Sequence, residues 1–514
     1  MDQTLDNPAV ADRLTPGVGA DELIAAADTS RLGTLVRRGA AWSFSLFVAR
    51  HIISVGATAI LSRILSPGDY GLLGMVATLT ALLQIFSDMG LSWATVSSKS
   101  LTRGQVDNLF WVNVFVGAAL WGLAALAGPL LAWFYGYEQL AVITALVGSN
   151  FLLAGIGVQP MALLKRQMKL RQWSLGELLA LTVGTVTGLT MAIAGCGYWA
   201  LVGQSIAGQL VLMIVLLVIS GYRPGLPQRG RGTMALLKFG GWLAAAGIPI
   251  FLSRNLDCIL IGKVWGPIEL GYYSRAYYLM MFPSLLATSV TTAVMVPALS
   301  SLQHDKERLG RVYRKAVSVI ALVSFPAAVG LAVAAPEAVR LLYGTKWLPV
   351  IPILTWLSIA SILQPVYNTN GWLYVACGKG KAFFLWYSFA GLVLAVAFFV
   401  SVPWGSVGVA LAYALAMLCG LAIGSLYFAH RAAGLSVRRT LRPLASILAA
   451  SILMGAAAWS AGRVVELIGA QWPWILAAKV CTGILVYLVL ALILECVPIE
   501  VSPRCKRQNV TLSV

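Results

Sequence analysis

Charge is what this sequence has least of. Only 11% of its 514 residues are Asp, Glu, Lys or Arg, while 59% are hydrophobic and the mean hydropathy is +0.83. So little polar surface cannot cover a water-soluble globule of this length, and the apolar area must face lipid. Acids are the scarcer sign: 19 against 37 basic residues, a formal net charge of +18. Histidine occurs three times (His51, His304, His430), none in a metal-binding cluster of acids or cysteines although His304 precedes Asp305, and neither an HExxH nor a Walker A motif is present, so the usual signatures of metal hydrolysis and nucleotide cleavage are missing. The seven cysteines lack CxxC or paired spacing and read as small packing residues, not disulfides or metal ligands. Basic residues form no long face or motif suited to nucleic acid. The first 30 residues, with Asp2, Asp6, Asp12, Asp21, Glu22 and Asp28, lack the basic-then-apolar order of a cleavable signal.

What is present in quantity is apolar run. A helix needs about 20 apolar residues to span a bilayer, and such runs fall near 39–64, 70–95, 109–134, 139–160, 174–195, 198–220, 239–264, 269–297, 315–335, 349–375, 382–402, 405–429, 443–462 and 473–496. Fourteen spans are therefore expected in an all-α polytopic membrane protein. Loop charge gives a separate check, because Lys and Arg accumulate on the cytoplasmic side of short loops. With the N-terminus inside, 27 basic residues fall in inside segments, against Arg340, Lys346 and Arg463 outside. An odd error in the span count would scramble that alternation, so both ends are placed in the cytoplasm. No loop is long enough to hold a catalytic domain, so an enzyme is not expected.

The chain also repeats at an offset of 200 residues. Trp42 matches Trp242, and Leu61-Ser-Arg-Ile-Leu-Ser-Pro67-Gly-Asp69-Tyr-Gly71 matches Ile261-Gly-Lys-Val-Trp-Gly-Pro267-Ile-Glu269-Leu-Gly271. Tyr135-Gly136 is echoed by Tyr343-Gly344. Six spans per repeat is an even number, so both halves share one orientation, related by an axis along the membrane normal. The expected organisation is a disordered cytoplasmic tail over 1–30, a six-helix lobe over 31–222, a cytoplasmic linker over 223–238, a second six-helix lobe over 239–430, two extra helices over 431–500 and a cytoplasmic tail over 501–514. Pro and Gly closing a helical hairpin could by themselves produce the shared turn.

Charges at membrane depth are costly, about 2.5–3.5 kcal/mol each on insertion scales, and so ask for a reason. Arg50 lies mid-way along span 1, Arg254 mid-way along its repeat partner span 7, and Arg275 about two turns into span 8. Together they would line a cleft whose guanidinium groups match phosphate oxygens. The alternative is structural: Arg254 paired with Asp257 one turn on, and Arg50 with a backbone carbonyl. Arg63 and Lys263 stand where long side chains snorkel, and Lys479, outside the repeat, reads as snorkelling or packing. Asp257 and Asp88 are the candidates for a coupled proton or sodium ion, while Glu177 reads as a loop or capping acid. No metal or organic cofactor is expected.

The stretch 61–72, followed by Ile85-Phe-Ser-Asp88-Met-Gly-Leu91, resembles the bacterial polysaccharide flippases, the Wzx-type branch of the multidrug/oligosaccharidyl-lipid/polysaccharide exporter superfamily, and within it the WzxC-like members. The resemblance implies flipping of an undecaprenyl-pyrophosphate-linked oligosaccharide across the bacterial inner membrane for exopolysaccharide or lipopolysaccharide synthesis. It also implies a cationic central cavity, with Arg50, Arg254 and Arg275 as equivalents by helix position, and a polymerase and chain-length regulator as pathway partners. Two other readings remain open: a cation-coupled multidrug exporter of the same superfamily, which would want acids rather than arginines at membrane depth, and a non-catalytic component of polysaccharide assembly.

Overall fold

The computed structural model describes residues 32–87, 102–227 and 233–493, and among them it contains helices and turns but no strand. The polar tails over 1–30 and 501–514, Asp88 and the rest of the Asp88–Leu91 motif, and residues 228–232 of the linker lie outside the described residues.

The helices are α1 (Leu32–Ile64), α2 (Pro67–Ser87), α3 (Arg103–Tyr135), α4 (Gln139–Arg166), α5 (Leu170–Ile193) and α6 (Trp199–Ser220). Thr233–Ser301 then runs as one helical stretch broken at Gly266, giving α7 (233–265) and α8 (267–301). The break needs glycine: φ 79° and ψ −171° lie in a region that a Cβ excludes. Next come α9 (Lys306–Val333), the short α10 (Ala335–Leu342), α11 (Val350–Ser361) and α12 (Gln364–Ala376), then α13 (Gly380–Ser401). The chain ends in α14 (Gly405–Ala416), α15 (Ala422–Ala433), α16 (Val437–Leu467) and α17 (Trp472–Ile493).

Ten helical stretches among the described residues are long and apolar enough to cross a membrane. One of them, Gly380–Ala433, is 54 residues long, far more than one bilayer crossing requires. It holds two spans, α13 and α14–α15, hinged at a 3-10 turn and at Gly405, whose φ of 74° repeats the Gly266 device. With α1, α7 and α8, which carry the intramembrane arginines, the chain has fourteen spans, as its hydropathy predicts. The molecule is an all-α polytopic membrane protein of two six-helix repeats followed by two helices.

The described residues gather into two compact units, the first drawn from Met1–Arg275, Leu342–Val350 and Gly391–Val409, the second from Ala276–Leu341, Ile351–Ala390 and Ala410–Val514. In the first unit α3 packs along α4 and α5 along α6. Lipid gives these helices no hydrophobic reason to associate, so close backbone contact has to do it. A Cβ on Gly155 would lie 2.5 Å from the Asn113 carbonyl oxygen, and one on Gly184 would lie 2.7 Å from that of Gln204.

In the second unit Tyr313, Phe325, Trp372 and Ile447 form the core, and α16 packs on α9 and α17. Lys479 does not snorkel: its ammonium is buried on α17 against the Glu337 carboxylate at 2.8 Å and donates to the Val333 carbonyl at 3.1 Å. A further echo of the repeat lies inside the helices, where buried Gln159-Pro160 of α4 corresponds to buried Gln364-Pro365 at the start of α12. Proline there frees a backbone carbonyl, and in the second copy the span is interrupted at 362–363.

Candidate functional site

The first unit holds an open cavity of about 560 Å³ lined by α1, α2, α5 and α6 together with residues 274–275 of α8. Gly74, Gly184 and Gly208 are among its lining residues, and Gly184 and Gly208 are where α5 and α6 approach closely. The polar residues that line it are Thr58, Tyr70, Gln204, Ser205, Gln209, Ser274 and Arg275. Asn150 donates to the Ser205 hydroxyl at 2.7 Å, which holds that side chain from behind. The Arg275 guanidinium carbon lies over the Tyr70 ring, 4.3 Å from its centre, a cation–π contact. One fixed cation among neutral amides and hydroxyls suits a ligand with a single anionic group and many hydroxyls.

The three arginines expected to line one cleft are placed differently. Arg275 lines the cavity; Arg50 and Arg254 are not among its walls. Arg50 forms an ion pair with Glu177 of α5, both side chains being about one-third exposed or less, so the acid read as a loop or capping group is the partner of the mid-span arginine. Arg254 is exposed. The structure also decides against an Arg254–Asp257 pair as the explanation of Asp257: that carboxylate is buried and accepts from the Tyr273 hydroxyl at 2.7 Å and the Cys258 backbone N–H at 2.8 Å. The second ion-coupling candidate, Asp88, lies outside the described residues.

The repeated turns behave as a pair. Ser66 and Asp69 cap α2 reciprocally, Asp69 accepting from the Ser66 backbone N–H at 2.8 Å and hydroxyl at 2.6 Å, with the Asp69 N–H donating back to that hydroxyl at 3.2 Å. Gly266 replaces Ser66 in the second copy, and Glu269 accepts instead from the Ser406 hydroxyl. Pro67 and Pro267 each open a helix, where the missing N–H costs nothing. Gly71 and Gly271 stand one turn inside.

Sequence reasoning missed Tyr70, Gln204, Gln209 and Trp347. Tyr70 stood inside the recognised motif, and the other three are uncharged, so a search for charge at membrane depth passes over them.

Residues 60–352 match the family described as polysaccharide biosynthesis protein. The lipopolysaccharide biosynthesis protein WzxC of Escherichia coli (strain K12) is 28% identical over 344 residues, covering 66% of this chain and 69% of its own. The teichuronic acid biosynthesis protein TuaB of Bacillus subtilis (strain 168) is 27% identical over 469 residues, covering 88% of this chain and 95% of its own. A solved structure described as lipid II flippase MurJ, inward closed conformation, shares the fold at a TM-score of 0.70 and 16% identity, covering 88% of this chain and 98% of that one.

Proposed function

This chain belongs to the polysaccharide biosynthesis protein family, and on that premise we propose that it flips an undecaprenyl-pyrophosphate-linked oligosaccharide from the cytoplasmic to the periplasmic leaflet of a bacterial inner membrane. The observation that carries the reading is the coincidence of family membership with a cavity that sets the Arg275 guanidinium among amides and hydroxyls. A permanently charged guanidinium answers the pyrophosphate, the Gln and Ser side chains answer the sugars, and the prenyl tail stays in lipid. The two six-helix repeats supply alternating access, with Pro160 and Pro365 as bends. The step forms and breaks no covalent bond, so no catalytic residue is assigned. Asp257 and Asp88 are the sites where a proton or sodium ion would couple to the cycle. A polymerase and a chain-length regulator are the expected pathway partners. An exporter of cationic drugs would place an acid where Arg275 stands, and the cavity wall carries none.

The test is leaflet sidedness of lipid-linked oligosaccharide in spheroplasts of a deletion strain. Accumulation on the cytoplasmic face, cured by the wild-type gene, is the expected result; unchanged sidedness overturns the reading. In the same assay Arg275→Ala is expected to lower export at least tenfold at normal protein level, with Arg275→Lys intermediate. Full export by Arg275→Ala removes Arg275 from the site.

A further inference from the structure

The two copies of the repeated turn touch each other. A Cβ on Gly71 would fall 1.7 Å from the carbonyl oxygen of Pro267, and a Cβ on Gly271 would fall 2.0 Å from that of Pro67. Neither glycine has a positive φ, so both are required by contact and not by conformation. The contact is reciprocal, as a two-fold relation between the copies demands.

Trp347 locks the pair. Its ring is fully buried, edge-on to Tyr70 at 5.5 Å and to Tyr272 at 6.0 Å, and its indole N–H donates to the Ser62 carbonyl at 2.7 Å. Beside it the Lys346 ammonium donates to the carbonyls of Ile64 at 3.2 Å and Leu65 at 3.3 Å. These are the free carbonyls at the end of α1, groups that water satisfies equally well when the partner leaves. The second copy is tied likewise, Lys263 donating to the Phe134 carbonyl and Trp265 to that of Val402. Such a junction holds firmly when closed, and the carbonyls at the end of α1 turn to water when it parts.

We propose that the interlocked turns, keyed by Trp347, are a gate closing the basic-poor end of the molecule, and that Tyr70 is the positioning residue tying this gate to the cavity. Tyr70 packs its ring under Arg275 on the cavity side and against Trp347 on the gate side. A phosphate that pairs with Arg275 draws the guanidinium off the ring and loosens the contact Trp347 needs. This inference rests on the transport reading above and on its orientation.

The test uses the full chain in intact cells, in a variant otherwise free of cysteine. Ser62→Cys, buried behind Trp347, reports gate opening through its rate of labelling by a membrane-impermeant maleimide. Trp347→Ala, Gly71→Ala and Tyr70→Ala are each expected to speed labelling at least tenfold, and Trp347→Phe, which keeps a ring but loses the N–H, by less. Gly68→Cys with Ile268→Cys supplies a lock, since a Cβ at 68 lies 3.8 Å from the Ile268 side chain; oxidation is expected to stop export and a reductant to restore it. Labelling unchanged in all the gate variants, or full export by the oxidised pair, overturns the proposal. Labelling needs no cargo, so a failure of the flipping assay with accelerated labelling would sink the function and leave the gate.

Discussion

Arg50 shows how a single side chain divides structural from functional readings. Its guanidinium pairs with Glu177, which lies 127 positions away, so removing it strands a partly buried carboxylate, at a cost of about 1–3 kcal/mol. Arg50→Ala alone is therefore expected to lower thermal stability in detergent. The double variant Arg50→Ala/Glu177→Ala is expected to recover most of the loss, because no unpaired charge remains. Export by the double variant decides the rest: recovery makes the pair purely structural, while continued failure with restored stability places Arg50 on the path of the cargo. Arg275 and Asp257 were marked in the sequence for their charge, but their partners Tyr70 and Tyr273 were not, because a tyrosine in an apolar run carries no local sign that it meets a charge.

Helices of this protein are apolar on every side, so their packing faces are written in small residues. Gly155 of α4 meets the backbone of α3 at Asn113 and Gly117, whereas Gly122 of α3 has nothing within 4 Å. Gly155→Leu is expected to destabilise by about 1–3 kcal/mol through overpacking, lowering the thermal midpoint in detergent, and Gly122→Leu to leave it unchanged. Equal effects would mean that these contacts do not hold the helix pair. The hairpin ends were easier to read: Ser66-Pro67-x-Asp69 is a helix start by local chemistry alone. Its counterpart at Gly266 keeps the proline and the acid but has a glycine break in place of the serine cap, and the acid, Glu269, accepts from the Ser406 hydroxyl instead.

At the scale of the whole molecule the orientation of the chain is a testable consequence of its charge pattern. Cys196 is exposed in the turn between α5 and α6, at the basic-poor end, and Cys377 lies in the turn between α12 and α13, beside Lys379 and Lys381. In intact cells, a variant retaining only Cys196 is expected to react with an impermeant thiol reagent, and one retaining only Cys377 to react only after permeabilisation. The reverse pattern would invert the topology and with it the direction of flipping.

Class and span number were determined by the sequence itself, and the sidedness of the loops and the like orientation of the two repeats are expectations it supplies, because each depends on composition counted along the chain: apolar length against bilayer thickness, basic residues against membrane side, proline and glycine against helix ends. Which arginine faces a cavity, that Glu177 answers Arg50, and that the two repeated turns press their backbones together were decided only by the tertiary structure. Helices surrounded by lipid have no polar face to mark which side turns inward, and a carbonyl oxygen 1.7 Å from a missing Cβ is a fact about two segments 200 residues apart that neither segment records.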